Sequence, residues 1–426
     1  MKPRGKKWPL AFAVLVSGLV IWALVASLRD PGEKVQFFTL PDGTKYHFGG
    51  ATYGANRVPP FFAEQFVSHL PAGLSNWVQT KYGKSLGLMP TFPADKPELQ
   101  VWMNLVDRSP SNLVGTINPL GILADERGVE GGQPANLSGI FPWPEMSYQF
   151  VPRRSRYLEV HVYDVFNSGS TYRHEAGTFR FRNPQYGKFP QWQPEPLPST
   201  KIAGDVQVTL TNCLVGTGPE NRFSTVFGLE LKQPPNTNEH WAIERIEASD
   251  ATGNSIDNLY HGQGLDRQGS IPAAFWPDEK AIRLKIWLKR TAGFSKAEVL
   301  SFTNVPIPSS SATNEIATTN RVGEFEVELR NDAWKRYRGI MVPKGGGLVM
   351  GSYGFGLAVP HGTATVMAEF LKVTTDTGEE LHDYARAWDD KGELRFFGSM
   401  PANAKSLNMT VSVQKLRTVE FLVKPQ

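Results

Sequence analysis

The sequence predicts an all-β fold: three tandem immunoglobulin-like β-sandwich modules. Three observations carry that expectation. The first is alternation: Ile282, Leu284, Ile286 and Leu288 are interleaved with Arg283, Lys285, Trp287 and Lys289. A period of two turns one set of side chains inward and the other outward, as in a half-buried strand. The second is turn chemistry. The strand beginning at Trp241 runs into Asp250-Ala-Thr-Gly253; aspartate bonds its own backbone and glycine accepts positive φ, which marks a hairpin.

The third observation is recurrence. The second copy runs from Phe227 to Pro306, and its landmarks return in the same order on both sides. Turns stand at Asp125, Asp250 and Asp376, prolines opening a long alternating strand at Pro152, Pro277 and Pro401, and closing strands at Phe181, Phe302 and Phe421. Turn to proline spans 27 residues in the first two copies (125 to 152, 250 to 277) and 25 in the third (376 to 401). Repeats this long are whole domains, not solenoid units. The Cys…Trp…Cys pattern of antibody domains is missing, so a related sandwich topology fits equally well.

Taken in order, residues 1–30 read as a basic tip and a transmembrane anchor. Lys2, Arg4, Lys6 and Lys7 precede Leu10–Leu28, 19 residues without a charge. That length spans a bilayer, and the basic flank stays cytoplasmic, which places the bulk of the chain outside. The alternative is a signal cleaved near Val25-Ala26-Ser27, leaving a secreted protein. The first module is expected over 31–189, with a helical insertion at about 58–96. There Phe62, Phe66 and Leu70, then Leu74, Trp77, Val78 and Tyr82, recur at helical spacing. Helices this short depend on tertiary packing, so Trp77 is expected buried against the module; the alternative is an exposed apolar patch for a partner. A Pro-rich linker at 190–203 should be a semi-rigid spacer. The second module follows at 204–306, a Ser/Thr/Pro linker at 307–321 and the third module at 322–426, each ending in its own closing strand.

The formal charge of +4 is accounted for by the four basic residues ahead of the apolar run. The remainder is near neutral, and no nucleic-acid surface is implied. With Cys213 as the single cysteine, no internal disulfide can form, and Cys213 reads as a small buried apolar residue.

Candidate chemistry is sparse. Asp250, Asn254 and Asp257, or Asp376, Glu379 and Glu380, could offer oxygens to calcium, but neither completes a calcium loop and a hairpin turn explains each. His382-Asp383 with Asp389-Asp390, and His174-Glu175, lack zinc-ligand spacing. The glycines from Gly345 to Gly356 lack the Lys-Ser/Thr ending of a phosphate loop. No catalytic residue, metal or cofactor is therefore expected. The aromatics are the open signal: Trp143 between two prolines, Trp192 in the linker and Trp287 on a polar strand face are the candidate ligand contacts.

These features point to a membrane-anchored extracytoplasmic scaffold or adhesion-type binding protein, not an enzyme. One alternative is a glycan-binding protein that stacks sugars on the three tryptophans. Another is an enzyme with a site between the insertion and the first module, using His47 or His69.

Overall fold

The computed structural model describes residues 36–40, 43–57, 73–74, 77–78, 92–107, 117–137, 145–166, 174–217, 223–235, 238–259, 268–307, 315–323, 325–332, 352–358, 365–381, 385–388, 394–399 and 404–426. The chain is all-β, built from antiparallel sheets. Eight strands come from the first repeat: β1 (Phe37–Thr39), β2 (Lys45–Arg57), β3 (Phe92–Asp107), β4 (Ile117–Ala124), β5 (Glu130–Asn136), β6 (Glu145–Tyr148), β7 (Tyr157–Phe166) and β8 (His174–Arg182). The second repeat supplies β9 (Ser199–Ala203), β10 (Val206–Thr217), β11 (Phe223–Lys232), β12 (His240–Asp250), β13 (Ser255–Leu259), β14 (Gln268–Ile271), β15 (Ile282–Ala292) and β16 (Val299–Pro306). From the third come β17 (Glu315–Val322), β18 (Phe325–Asp332), β19 (Ser352–Ala358), β20 (Val366–Thr375), β21 (Ala385–Trp388), β22 (Leu394–Ser399), β23 (Ser406–Lys415) and β24 (Arg417–Val423).

The sheets follow one plan. In the first repeat β1-β2-β3-β6 faces β5-β4-β7-β8, and in the second β9-β10-β11-β14 faces β13-β12-β15. Between the first two sheets Phe48 stacks on Phe179 and Phe181, at 5.6 and 5.3 Å between ring centroids. The alternation places Leu158, Val160 and Val162 of β7, and Leu284, Ile286 and Leu288 of β15, in the core, together with Met409 of β23. Arg283 is exposed and Lys285 half-buried, so the expected register holds.

The closing strands depart from the expected order. β8 completes its own repeat, pairing β7 with Leu158 opposite Phe181. β16 does not pair β15. It pairs β23 of the third repeat, with Phe302 opposite Met409, in the sheet β16-β23-β20. β24 in turn pairs β15, with Phe421 opposite Leu284, and completes the second sandwich. Repeats two and three have exchanged closing strands in matching register. Arg417 secures the exchange. Its guanidinium lies 3.9 Å from the Trp241 ring centroid, donates to Ala203 O at 3.1 Å and pairs with Asp205.

The third repeat differs twice more. β21 pairs β22, widening one sheet to β17-β18-β19-β22-β21. Its turn also begins one residue before Asp376. Asp125 and Asp250 each accept the backbone N–H groups two and four residues on; in the third turn Thr375 Oγ1 accepts from Glu379 N at 3.0 Å. A buried hydroxyl does the carboxylate's work there, and Asp376 instead accepts from Lys405 N. The glycines of the three turns, Gly128, Gly253 and Gly378, take φ of 77, 95 and 87°, the left-handed region that only glycine adopts freely.

Both linkers are partly strand. Residues 199–203 form β9, and the preceding segment lies against the second sandwich: Glu195 N donates to Leu422 O at 2.7 Å, and Arg283 covers the Trp192 ring. The expected semi-rigid spacer thus lies docked along the second sandwich. The expected linker at 307–321 likewise contains most of β17, paired to β18. The insertion falls between β2 and β3, whose pairing reaches Arg57 opposite Phe92. The backbone is helical at Gly73, Leu74, Trp77 and Val78, but Trp77 is 50% exposed and Leu74 46%. Trp77 therefore does not lie buried beneath the insertion. Among the described residues no helix is long and apolar enough to cross a membrane; Leu10–Leu28 lies outside them.

Candidate functional site

Two polar clusters lie at the joints between sandwiches and a third on an outer sheet face. The first joint is an apolar core with a polar rim. Phe150 of the first repeat meets Phe275 of the second edge-on at 5.1 Å, and one continuous apolar cluster runs through both sandwiches. Trp276 is buried against Gly131 and Gly132, and its Nε1 donates to Val129 O at 3.1 Å. A Cβ on Gly131 would stand 2.7 Å from the indole, so the close approach requires glycine. Gly132 and Ala274 exchange two backbone hydrogen bonds, a single strand-like bridge between repeats.

The rim is built from the two hairpin turns. Asn254 Nδ2 donates to Val151 O at 2.8 Å, and Val151 N donates to Asn254 Oδ1 at 3.1 Å. Asp250 is spent on its own turn, accepting from Thr252 N, Thr252 Oγ1, Asn254 N and Asn254 Nδ2. Arg153 reaches Thr252 O and the Tyr53 hydroxyl, and Arg154 pairs with Glu279 at 2.9 Å. Burial raises the Glu279 carboxyl above the usual carboxylate range, opposed by the Arg154 hydrogen bond. Asp125, Asp250, Asp278 and Glu279 line a cavity of about 10 Å³, room for about one water molecule. Asp125, Asp250 and Asp376 are engaged by protein donors, and the side chain of Asp257 lies outside the described residues. Among the described residues no group of three or more His, Cys, Asp or Glu side chains is placed to hold a metal ion.

The second joint is polar. Lys289 of β15 is buried, with Nζ 2.8 Å from Glu244 Oε2 of β12 and 3.3 Å from Glu369 Oε1 of β20. Beside it Gln414 of β23 clasps the backbone of Arg290, accepting from its N–H at 2.7 Å and donating to its carbonyl at 2.9 Å.

A third polar group lies on the outer face of β7. His161 Nδ1 donates to Glu130 Oε1 at 2.7 Å, Tyr163 OH donates to the same oxygen at 2.5 Å, and Glu159 lies 3.5 Å from His161 Nε2. The hydrogen bond to Glu130 raises the His161 pKa, and burial opposes it. The histidine's folded pKa stands above its unfolded value of about 6.5. Its stabilising contribution is therefore full below that value and is lost as pH rises through the folded pKa. NMR titration is expected to give His161 a midpoint above 6.5, falling toward it in Glu130→Gln. An unshifted wild-type midpoint would contradict the pairing.

The three candidate tryptophans fare differently. Trp287 does lie on the polar side of β15, but that side is covered: the residue is 3% exposed, and Arg245 and Lys285 stand over its ring at 4.5 and 4.4 Å. It is not an exposed stacking surface. Trp192 is half-buried with the Arg283 guanidinium 4.7 Å from its centroid. Trp143 lies outside the described residues, as do His69, His382, Asp389 and Asp390 and the side chain of His174. His47 is half-buried, beside Phe37 at 5.2 Å between centroids, with Asn104 Nδ2 at 3.5 Å from its Nδ1. Cys213 is buried, and burial pushes its thiol up to about 12. It is the small apolar core residue expected.

The Lys289 node is what sequence reasoning missed. On the outward face Lys289 stands with Arg283, Lys285 and Trp287, a pattern that reads as solvated, and nothing in the sequence marks it as buried. No protein-family model matches the chain, and no curated protein matches it.

Proposed function

We propose that the chain is a membrane-anchored extracytoplasmic scaffold, three immunoglobulin-like modules long, that holds a binding surface at a fixed attitude to the membrane. The observation that supports this reading is the construction of the joints. The first two sandwiches share one apolar core, and the second and third are interlocked by exchanged strands. Chain-linked domains that move independently meet through small polar interfaces; here the first joint is apolar and the second, though polar, is crossed by exchanged strands, and a stiff body suits a scaffold. The apolar run at Leu10–Leu28 with its basic flank supplies the attachment.

The test is topology. In intact cells a membrane-impermeant amine reagent is expected to label lysines beyond residue 30 and to leave Lys2, Lys6 and Lys7 unlabelled until the membrane is broken. Exposed sandwich lysines such as Lys201 and Lys372 staying unlabelled in intact cells would overturn the reading. A mature chain beginning near residue 28 would replace the anchor with a cleaved signal.

A further inference from the structure

We propose that Lys289 and Glu244 become joined by an amide, an isopeptide bond within the chain, with Glu369 as proton carrier. The three side chains are each no more than 7% exposed, and between them they carry two formal negative charges and one positive. Charges so buried keep a large desolvation cost that pairing only partly returns. Condensation removes two of them.

The contacts separate the roles. Lys289 Nζ donates a hydrogen bond to Glu369 Oε1 at 3.3 Å. Toward Glu244 it is closer, 2.8 Å from Oε2, yet that oxygen accepts no hydrogen bond. The amine thus touches Glu244 outside hydrogen-bonding geometry, while a second carboxylate holds one of its protons. Glu244 owes its place to a β-bulge: the pairing of β12 with β15 skips from Ile243 opposite Leu288 to Arg245 opposite Trp287. The extra residue of a bulge re-aims its side chain.

The balance is simple. A proton passes from the ammonium to Glu244, giving a neutral amine beside a neutral carboxyl. Nζ attacks Cδ of Glu244; Glu369 takes the second ammonium proton and returns it to the departing hydroxyl. An N–C bond forms, a C–O bond breaks, one water leaves, and Glu369 ends as it began. No oxidant or other reactant is required. Holding amine and carboxyl in contact corresponds to effective molarities of about 10⁵–10⁸ M, and a site closed to water favours the condensed product.

The experiment is mass spectrometry of the denatured full chain. Wild type is expected one water lighter than its sequence, with proteolysis releasing a branched peptide that joins the segments holding Lys289 and Glu244. Lys289→Arg, which keeps the charge, should restore the full mass, and Glu369→Gln should leave most of the chain unlinked. Full mass in the wild type, or a water loss that persists in Lys289→Arg, would overturn the proposal. A branch to Glu369 would overturn the assignment of Glu244. The wild-type peptide map decides the matter even if the variants fail to fold.

Discussion

Phe421→Ala is expected to unfold the second sandwich while the third stays folded, although Phe421 belongs to the third repeat. The ring is fully buried and stands opposite Leu284 across the β15–β24 pair. Truncating a buried phenylalanine costs about 3–5 kcal/mol. Hydrogen exchange should therefore accelerate in β12, β15 and β24 and remain slow in β20 and β23. Phe302→Ala should do the reverse: its ring sits opposite Met409, so β20 and β23 should loosen while β12 and β15 hold. Each repeat closing on itself would interchange the two patterns, and that outcome would refute the exchange.

Much of this architecture was legible because its signals are local. Alternation fixes which face of β7, β15 and β23 is buried, and the Asp-x-x-Gly turn fixes where β4 and β12 end. The exchange was not legible by the same means. Phe302 and Phe421 each occupy the same register position opposite a core residue of the long strand, so either closing strand fits either partner. Connectivity decides. Only Leu416 separates β23 from β24, and tight hairpins need two residues or more to reverse the chain. β24 therefore cannot fold back on β23; it continues into the second sandwich. The seven residues between β7 and β8 leave the first repeat free to close on itself. That one-residue spacing is a property of where the two strands end and begin in the structure, and the alternation alone does not mark it.

The candidate site was less legible because exposure is a tertiary property. Trp287 and Lys289 were placed on the correct side of β15, but what covers that side comes from β12 and from Glu369 of β20. The third turn was misplaced by one residue for a different reason. Asp376 resembles Asp125 and Asp250 in type, whereas the acceptor at the equivalent position is the hydroxyl of Thr375. Residue type misled where geometry would have chosen.

Trp276→Ala is expected to uncouple the first sandwich from the second. The indole is 2% exposed, packs on the backbone of Gly131 and Gly132, and satisfies Val129 O through Nε1. Its removal opens a cavity and leaves that carbonyl with only the hydrogen bond from Asp125 N, at a cost of about 3–5 kcal/mol. What remains at the joint is Phe150 against Phe275, the Gly132–Ala274 bridge and the Asn254 and arginine hydrogen bonds. A joint that depends on its largest side chain should then give two calorimetric transitions in place of one, with the lower assignable to either flanking sandwich by hydrogen exchange. Trp276→Phe retains most of the ring and loses the hydrogen bond, so it should cost only about 1 kcal/mol and keep a single transition. Gly131→Ala should resemble Trp276→Ala, because the added methyl displaces the same ring. A single transition in Trp276→Ala at the wild-type temperature would show that the two sandwiches are held by the polar rim, and that the apolar contact contributes little.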